Sequence, residues 1–427
     1  MTASLPATRP PLRGVRVETL RNATLWLFVV CGATALIEPS PYEVMFFVAL
    51  AAYARGGLNF DPTMASLVLW LALMNAGGLL ALVPVTDDQK AVMFVAISIY
   101  MATTAIFFAA VIARDPLPRI RTIRSGYAVA GVLAATLGIL GYFNVAGLGP
   151  LFTLYDNERA SGPFKDPNVF GPFLITPIVW IVQDLLLKSA RRPFIGVAAI
   201  GVMTLGVFFS FSRGAWGDYA GSVALLFALT FLTTPSPRLR RRIATSAVAG
   251  LFGLGVLLTI ALSVPAIRDM FFERFSLSQY YDVGETGRFG DQARSVPLLL
   301  ERMFGFGPLQ FHFVMGQDPH EVYLNAFASY GWLGGLAFFA FTAATLFVGW
   351  RLVFRRGPFQ TEAIPIWSCL FVQMIQGLQI DTDHWRHLYL LFGLLFGFAA
   401  ADRAVCGRRP AAPRAFAAPH PHLRPIV

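Results

Sequence analysis

Cysteine, charge and histidine are all scarce in this chain. Three cysteines in 427 residues exclude a disulfide framework, and Cys31, Cys369 and Cys406 have no spacing that would hold a metal. Charged residues make up 14% of the chain, against roughly 25% in soluble domains, which excludes an ordinary soluble protein. Acids are fewer than bases, 24 against 34, leaving a formal charge of +10. That excess does not mark a nucleic-acid binder, because the bases are dispersed among short loops rather than gathered on one patch. A cleavable leader is not expected either. Arg9, Arg13, Arg16 and Arg21 precede the first apolar run, and no small-residue cleavage site follows it.

What the chain has is apolar sequence: 56% of its residues are hydrophobic. Apolar runs recur along it, most approaching the ~20 residues that cross a bilayer as a helix. Twelve spans are expected, at 23–38, 42–54, 65–84, 91–113, 125–144, 169–187, 194–211, 215–233, 243–264, 329–350, 362–379 and 387–402. The first two are short. The fold class is therefore an all-α integral membrane protein with about twelve transmembrane helices and one large outer loop.

The charges orient this bundle. With the N-terminus inside, 24 of the 34 Lys and Arg residues fall on the inner side and 10 outside, as the positive-inside rule requires. Five regions follow: a cytoplasmic N-terminus (1–22), nine spans (23–264), a large outer loop (265–328), three more spans (329–402) and a tail (403–427). The Ala-, Pro-, Arg- and His-rich end of that tail reads as disordered and cytoplasmic.

A loop as long as 265–328 suggests function. Its first part, Ala266 to Tyr281, suits an interfacial helix with Phe271, Phe272, Phe275, Tyr280 and Tyr281 at headgroup level. Thr286 or Gly287 can open a second helix through Arg288, Arg294 and Arg302, which Gly305-Phe306-Gly307-Pro308 then breaks. Loop 145–168 is also outer and holds Asp156, Glu158, Arg159, Lys165 and Asp166. There Asn168 is expected to cap the following span, and capping alone would account for Asp166 and Asn168. A tight turn at Phe211-Ser212-Arg213-Gly214-Ala215 places Arg213 at the membrane surface, where it can also simply snorkel. The last outer turn is Asp381-Thr382-Asp383-His384-Trp385-Arg386-His387, which a structural ion-pair cluster would equally explain. Four of the six histidines, His312, His320, His384 and His387, thus lie on the side that carries Arg159, Arg213, Arg288 and Arg302. Cations and imidazoles beside lipid suit a phosphorylated, lipid-borne substrate. His312, between Phe311 and Phe313, reads as a packing residue.

The ordered series Arg159, Gly162-Pro163-Phe164, Asp166-Pro167-Asn168, Ser212-Arg213-Gly214, Gly287-Arg288, Gly305-Phe306-Gly307, His320 and Tyr323-Leu324-Asn325 resembles the O-antigen ligase and O-antigen polymerase superfamily. The likeness runs from about residue 150 to 340. The turn at Asp383-His384-Trp385-Arg386-His387 is similar to the last outer turn of exopolysaccharide polymerases in that group. The resemblance implies a GT-C-like fold in the bacterial inner membrane, working at the periplasmic face. It also implies an undecaprenyl-pyrophosphate-linked glycan as donor, with lipid A-core or another lipid-linked repeat as acceptor. Carried over by position, Arg213 and Arg288 would bind pyrophosphate and His320 would act as base on the acceptor hydroxyl. Arg159, Lys165, Asp166, Asn168, Ser212, Arg302, Tyr323, Asn325, His384 and Arg386 would line the substrate site. Glu321 stands where relatives often carry Asn, and is available to orient or charge the imidazole.

The chemistry agrees with these roles. Leaving pyrophosphate gathers negative charge, which planar Arg forks neutralise, and His is the natural base for a sugar hydroxyl. Displacement on an α-linked donor would invert the anomeric centre. Because cations can replace a divalent ion, no metal and no cofactor is expected. Two rivals stand beside this reading: a twelve-span transporter or flippase of lipid-linked sugars, and a non-catalytic membrane scaffold. Transporters place polar groups near the midplane, whereas these span interiors hold almost no charge and no halves repeat. The last turn tilts the reading from ligase toward polymerase.

Overall fold

A computed structural model describes residues 12–407 apart from 38, 155–157, 276–286 and 317. The side chains of 12–15, 288, 289 and 407 also lie outside the described set. Among the expected features, Asp156, Tyr280, Tyr281, Thr286, the Arg288 side chain and the tail 408–427 therefore lie outside the described residues.

In chain order the elements are α1 (Leu12–Cys31), α2 (Pro41–Tyr53), α3 (Ala65–Leu82), α4 (Gln89–Arg114), α5 (Pro116–Tyr142) and the short α6 (Gly149–Phe152). A two-residue hairpin, β1 (Thr153–Leu154) and β2 (Arg159–Ala160), follows, pairing Thr153 with Ala160 and Leu154 with Arg159. Then come α7 (Pro167–Leu187), α8 (Pro193–Phe209), α9 (Arg213–Thr233), α10 (Pro237–Leu262), α11 (Pro265–Phe275), α12 (Arg288–Glu301) and the one-turn α13 (His312–Met315). The chain closes with α14 (Val322–Phe354), α15 (Gln360–Gln376) and α16 (Arg386–Gly407).

Eight of these helices are long and apolar enough to cross a membrane: α3 with its flanking turns, α4, α5, α7, α9, α10, α14 and α16. The protein is thus an α-helical, multi-pass membrane protein. Each of the twelve expected segments overlaps a helix. However, α2, α8 and α15 have only 13, 17 and 17 residues. The first helix starts well before residue 23 because its polar half is used: Arg119, 2% exposed, bonds Glu18 and Asn22 and stacks 5.2 Å over Tyr53.

Helix starts follow capping rules. Ser40 closes a capping box with Glu43, Asp88 caps α4, and Ser212 caps α9. Proline occupies the first turn of α2, α5, α7, α8 and α10, where its missing N–H costs nothing. One expectation is corrected here. The cap of α7 is Asp166, accepting from Asn168 N at 2.8 Å, because Pro167 takes the first helical position.

Close packing comes from small residues, since lipid supplies no hydrophobic drive between helices. A Cβ on Gly393 of α16 would lie 2.4 Å from Ala105 O of α4, and one on Gly397 would lie 2.8 Å from Ala109 O. Between α3 and α14, a Cβ on Gly77 would lie 2.5 Å from Gly334 N. Substitution at these positions must push the helices apart.

The long helix α14 is broken at Gly331, whose φ is +64 and ψ −171. The break is filled by the chain that follows α12. Phe306 N donates to Ala328 O at 2.8 Å, and Trp332 N donates to Met303 O at 2.8 Å. Gly305, with φ +73, fits there because any side chain would meet Ala328 O at 2.6 Å. The run Gly305-Phe306-Gly307 is therefore a plug in a broken helix as well as a helix stop.

At the basic end of the bundle, Arg124 bridges Asp184 at 2.8 Å and Glu362 at 3.1 Å. The loops bearing the candidate site meet at the opposite end.

Candidate functional site

The Ser-Arg-Gly turn between α8 and α9 is built tightly. Phe211 takes a left-handed conformation at φ 45 while only 1% exposed, and Ser212 accepts from Ala215 N at 3.3 Å. Arg213 therefore starts α9, half-buried. Arg159 supports this turn from β2. Its guanidinium is buried, with Nε donating to Ser210 O and Nη2 to Asn168 Oδ1, both at 2.9 Å. Arg159 thus ties Asn168 to Ser210, whose hydroxyl in turn accepts from Ser212 N at 3.3 Å. Lys165 is exposed beside them.

The end of α15 joins this turn to the histidine segment. A Cβ on Gly214 would lie 2.8 Å from Gln376 Nε2, so the first turn of α9 presses on Gln376. The next residue, Gly377, accepts at 2.9 Å from Val322 N, which opens α14 directly after His320 and Glu321. Arg213 and His320, 107 positions apart in sequence, are thus each within two residues of contacts to the same two-residue step, Gln376–Gly377.

His320 is exposed, and its carbonyl accepts from Gln292 Nε2 at 3.4 Å. The Glu321 carboxylate caps α14, accepting from Tyr323 N at 3.2 Å and Leu324 N at 2.7 Å. Burial pushes its carboxyl up from the usual range. Because the cap begins α14 at Val322, Tyr323 and Asn325 are helical and not in the loop. Tyr323 donates to Met374 O at 2.9 Å, and Asn325 Nδ2 bonds Asp381 Oδ2.

Arg288 opens α12, four residues before the Gln292 that reaches His320. Its N-cap, Gly287, supplies no side-chain acceptor to the first N–H groups, which is the arrangement that binds anions at helix starts. Arg302 is exposed and lies 5.2 Å over the Phe306 ring. His312 packs against its neighbour Phe313, ring centroids 4.0 Å apart, and its Nδ1 lies 3.5 Å from Asp318 Oδ2.

The last turn is mostly buried. Asp383 accepts from Tyr330 at 2.9 Å and pairs with His384 Nδ1 at 2.7 Å. The other His384 nitrogen lies 3.1 Å from Phe94 O. Arg386 donates to Thr34 O at 2.8 Å, bridges Glu43 at 2.6 Å and covers the Tyr42 ring. His384 and Arg386 therefore tie the start of α16 to the turn after α1, to α2 and to α4. Burial and the neighbouring Asp383 charge push Asp381 well above the usual carboxylate range. Burial also opposes ionisation of Asp383, but His384, Tyr330 and Asp381 outweigh it and hold it below that range. The two shifts run in opposite directions, favouring the neutral form of Asp381 and the ionised form of Asp383.

Two features were not anticipated from sequence. One is the set of α14 partners of Asp381 and Asp383, which no local spacing reveals. The other is Asp218, 2% exposed inside α9, one of the few charges that the expected spans contain. An ionisable residue inside a span was the signal available. Compared with known proteins, the chain matches no family model and no curated sequence.

Proposed function

We propose that this protein is a glycosyltransferase of the O-antigen ligase and polymerase kind, acting on an undecaprenyl-pyrophosphate-linked glycan at the outer face of the bacterial inner membrane. In this reading all twelve apolar segments cross, in a GT-C-like arrangement. The observation that carries it is the meeting of the Arg213 turn and the His320 segment at Gln376–Gly377. The start of α12 at Gly287-Arg288, whose N-cap residue offers no side-chain acceptor, adds to it.

Arg213 and Arg288 hold the pyrophosphate and neutralise the charge that grows as the sugar C1–O bond breaks. His320 takes the proton from the acceptor hydroxyl as that oxygen attacks C1, inverting the centre. Arg159, Asn168 and Ser212 shape the turn, and Arg302 is available to the donor or its lipid. Cationic side chains stand in for a divalent ion, and no cofactor takes part. The last turn favours a polymerase over a ligase.

The test is product analysis with purified protein and a defined undecaprenyl-pyrophosphate oligosaccharide. Donor alone should give a ladder of longer lipid-linked glycans, and EDTA should leave it intact. Product only on adding lipid A-core would make the enzyme a ligase. A second reading, transport of lipid-linked sugars, is favoured by Asp218 within a span. Donor crossing the bilayer of liposomes without any new glycosidic bond would establish transport and end the transferase reading.

A further inference from the structure

Below the Ser-Arg-Gly turn, α9 and α15 run antiparallel and face each other through polar rungs. Gly214 meets Gln376, Asp218 meets Gln373 one turn further in, and Ser222 meets Cys369 beyond that. Thr176 of α7 reaches the same seam beside Cys369. The seam is closed to solvent: Asp218 is 2% exposed, and Gln373 and Thr176 are 0% exposed.

The bonding there is incomplete. Ser222 donates to Asp218 Oδ1 at 3.0 Å, and Gln373 Nε2 donates to Pro172 O at 3.4 Å. Asp218 Oδ2, Gln373 Oε1, Gln376 Oε1 and Thr176 Oγ1 are buried without a hydrogen-bond partner. Asp218 makes no ion pair among the described residues. Unpartnered polar atoms inside a membrane protein are costly. Four of them, three being acceptor-only oxygens, lie along one short seam.

Two kinds of occupant would neutralise Asp218. A proton on the carboxyl donates to one neighbouring acceptor and leaves the other oxygens as they were. A hard cation binds several oxygens at once, drawing on carboxylate, amide and hydroxyl donors together. The charge count fixes its valence. One carboxylate balances one positive charge, whereas a divalent ion would leave a buried excess charge.

We propose that Asp218, Gln373, Gln376 and Thr176 form a buried site for one small monovalent cation, of the Na+ class. The site is separate from the Arg213, Arg288 and His320 group and stands whether or not the protein is a transferase. Its physical effect is to clamp α9 to α15, the two helices that carry the Ser-Arg-Gly turn and the Gln376–Gly377 step.

The experiment uses the purified full chain in detergent, with NaCl exchanged for choline chloride at constant ionic strength. Na+ should raise the unfolding midpoint saturably, by ~3 °C or more at high occupancy, because a ligand that binds only the folded state stabilises it. Asp218→Asn should abolish that rise, and Thr176→Val should move its midpoint to several-fold higher Na+. Saturable radiosodium binding to the wild type gives a readout that does not depend on either variant folding. An equal Na+ response in Asp218→Asn would overturn the site. So would a wild type indifferent to Na+, whether its midpoint then follows pH, meaning a proton, or neither variable, meaning water.

Discussion

The Tyr330 hydroxyl donates to Asp383 Oδ2 at 2.9 Å, joining the middle of α14 to the turn before α16 across 53 positions of chain. One turn earlier on α14, Asn325 Nδ2 bonds Asp381 Oδ2. The two aspartates of the last turn are thus both bonded to α14, which begins just after His320 and Glu321.

Opposite responses to amide substitution follow from the opposite shifts of Asp381 and Asp383. Asp381 is raised, so its contribution is complete below the ordinary carboxylate range and is lost as pH rises through its native value. Asp383 is lowered, so its contribution is present above that range and is lost as pH falls through its native value. Asp381→Asn keeps the neutral form without taking up a proton on folding, so its unfolding midpoint should hold at or above that of the wild type near neutral pH, and its fall with rising pH should flatten. Asp383→Asn removes the ionised partner of His384 and should cost roughly 3 kcal/mol. Midpoints of both variants from pH 5 to 9, on the order of the range enzymes are handled in, test the assignment. Equal destabilisation would refute it.

Gly305 should tolerate no side chain. Its φ of +73 alone makes a non-glycine residue strained by ~1–3 kcal/mol, and a Cβ would also press on Ala328 O at 2.6 Å. Gly305→Ala is expected to lower the midpoint and release the plug from α14, exposing the Phe306 amide to exchange. Hydrogen exchange at Phe306 and Gly307 reports this directly. Protection equal to wild type would mean that the plug is not held by the break at Gly331.

Most of the helix positions were legible in the sequence because long apolar runs leave a membrane chain few alternatives. Boundaries were less so. Residues 1–22 were expected only as a cytoplasmic N-terminus, yet α1 already runs from Leu12, with Glu18 bonded to Arg119 and Arg21 over the Tyr53 ring from distant helices. The Asp-Pro-Asn run announced a helix start, but proline geometry and not residue preference decided that Asp166 is the cap. The Ser-Arg-Gly and Gly-Phe-Gly runs were visible as local motifs. What they touch, Gln376 and Ala328, depends on tertiary packing that no local spacing encodes. Asp218 was visible as a letter, and only its burial against Gln373 gives it meaning.

Arg159 and Arg213 should separate structure from chemistry, although the sequence presents them alike. Arg159 is buried and holds Ser210 O and the Asn168 side chain. Arg159→Ala leaves those acceptors bare and should cost ~2 kcal/mol in stability, with activity falling alongside it. Arg213→Ala should keep the midpoint within ~1 kcal/mol and reduce glycan transfer roughly 100-fold or more. Parallel loss of stability and activity in both variants would remove Arg213 from the pyrophosphate role.

His320 and Glu321 are adjacent but should answer differently. His320 is exposed, and truncating an exposed side chain changes stability by about 1 kcal/mol or less. His320→Ala should therefore fold normally yet lose transfer by roughly 100- to 10,000-fold, the span over which general bases contribute. Glu321 is the cap of α14, and burial favours its neutral form. Glu321→Gln should keep both stability and transfer, whereas Glu321→Ala should cost about 1 kcal/mol through the lost cap. The pair of midpoints and turnover rates discriminates between a carboxylate that charges the imidazole and one that only starts a helix. If Glu321→Gln folded like wild type but turned over as slowly as His320→Ala, the carboxylate would belong to the base after all, and α14 would have to present it to the ring during turnover.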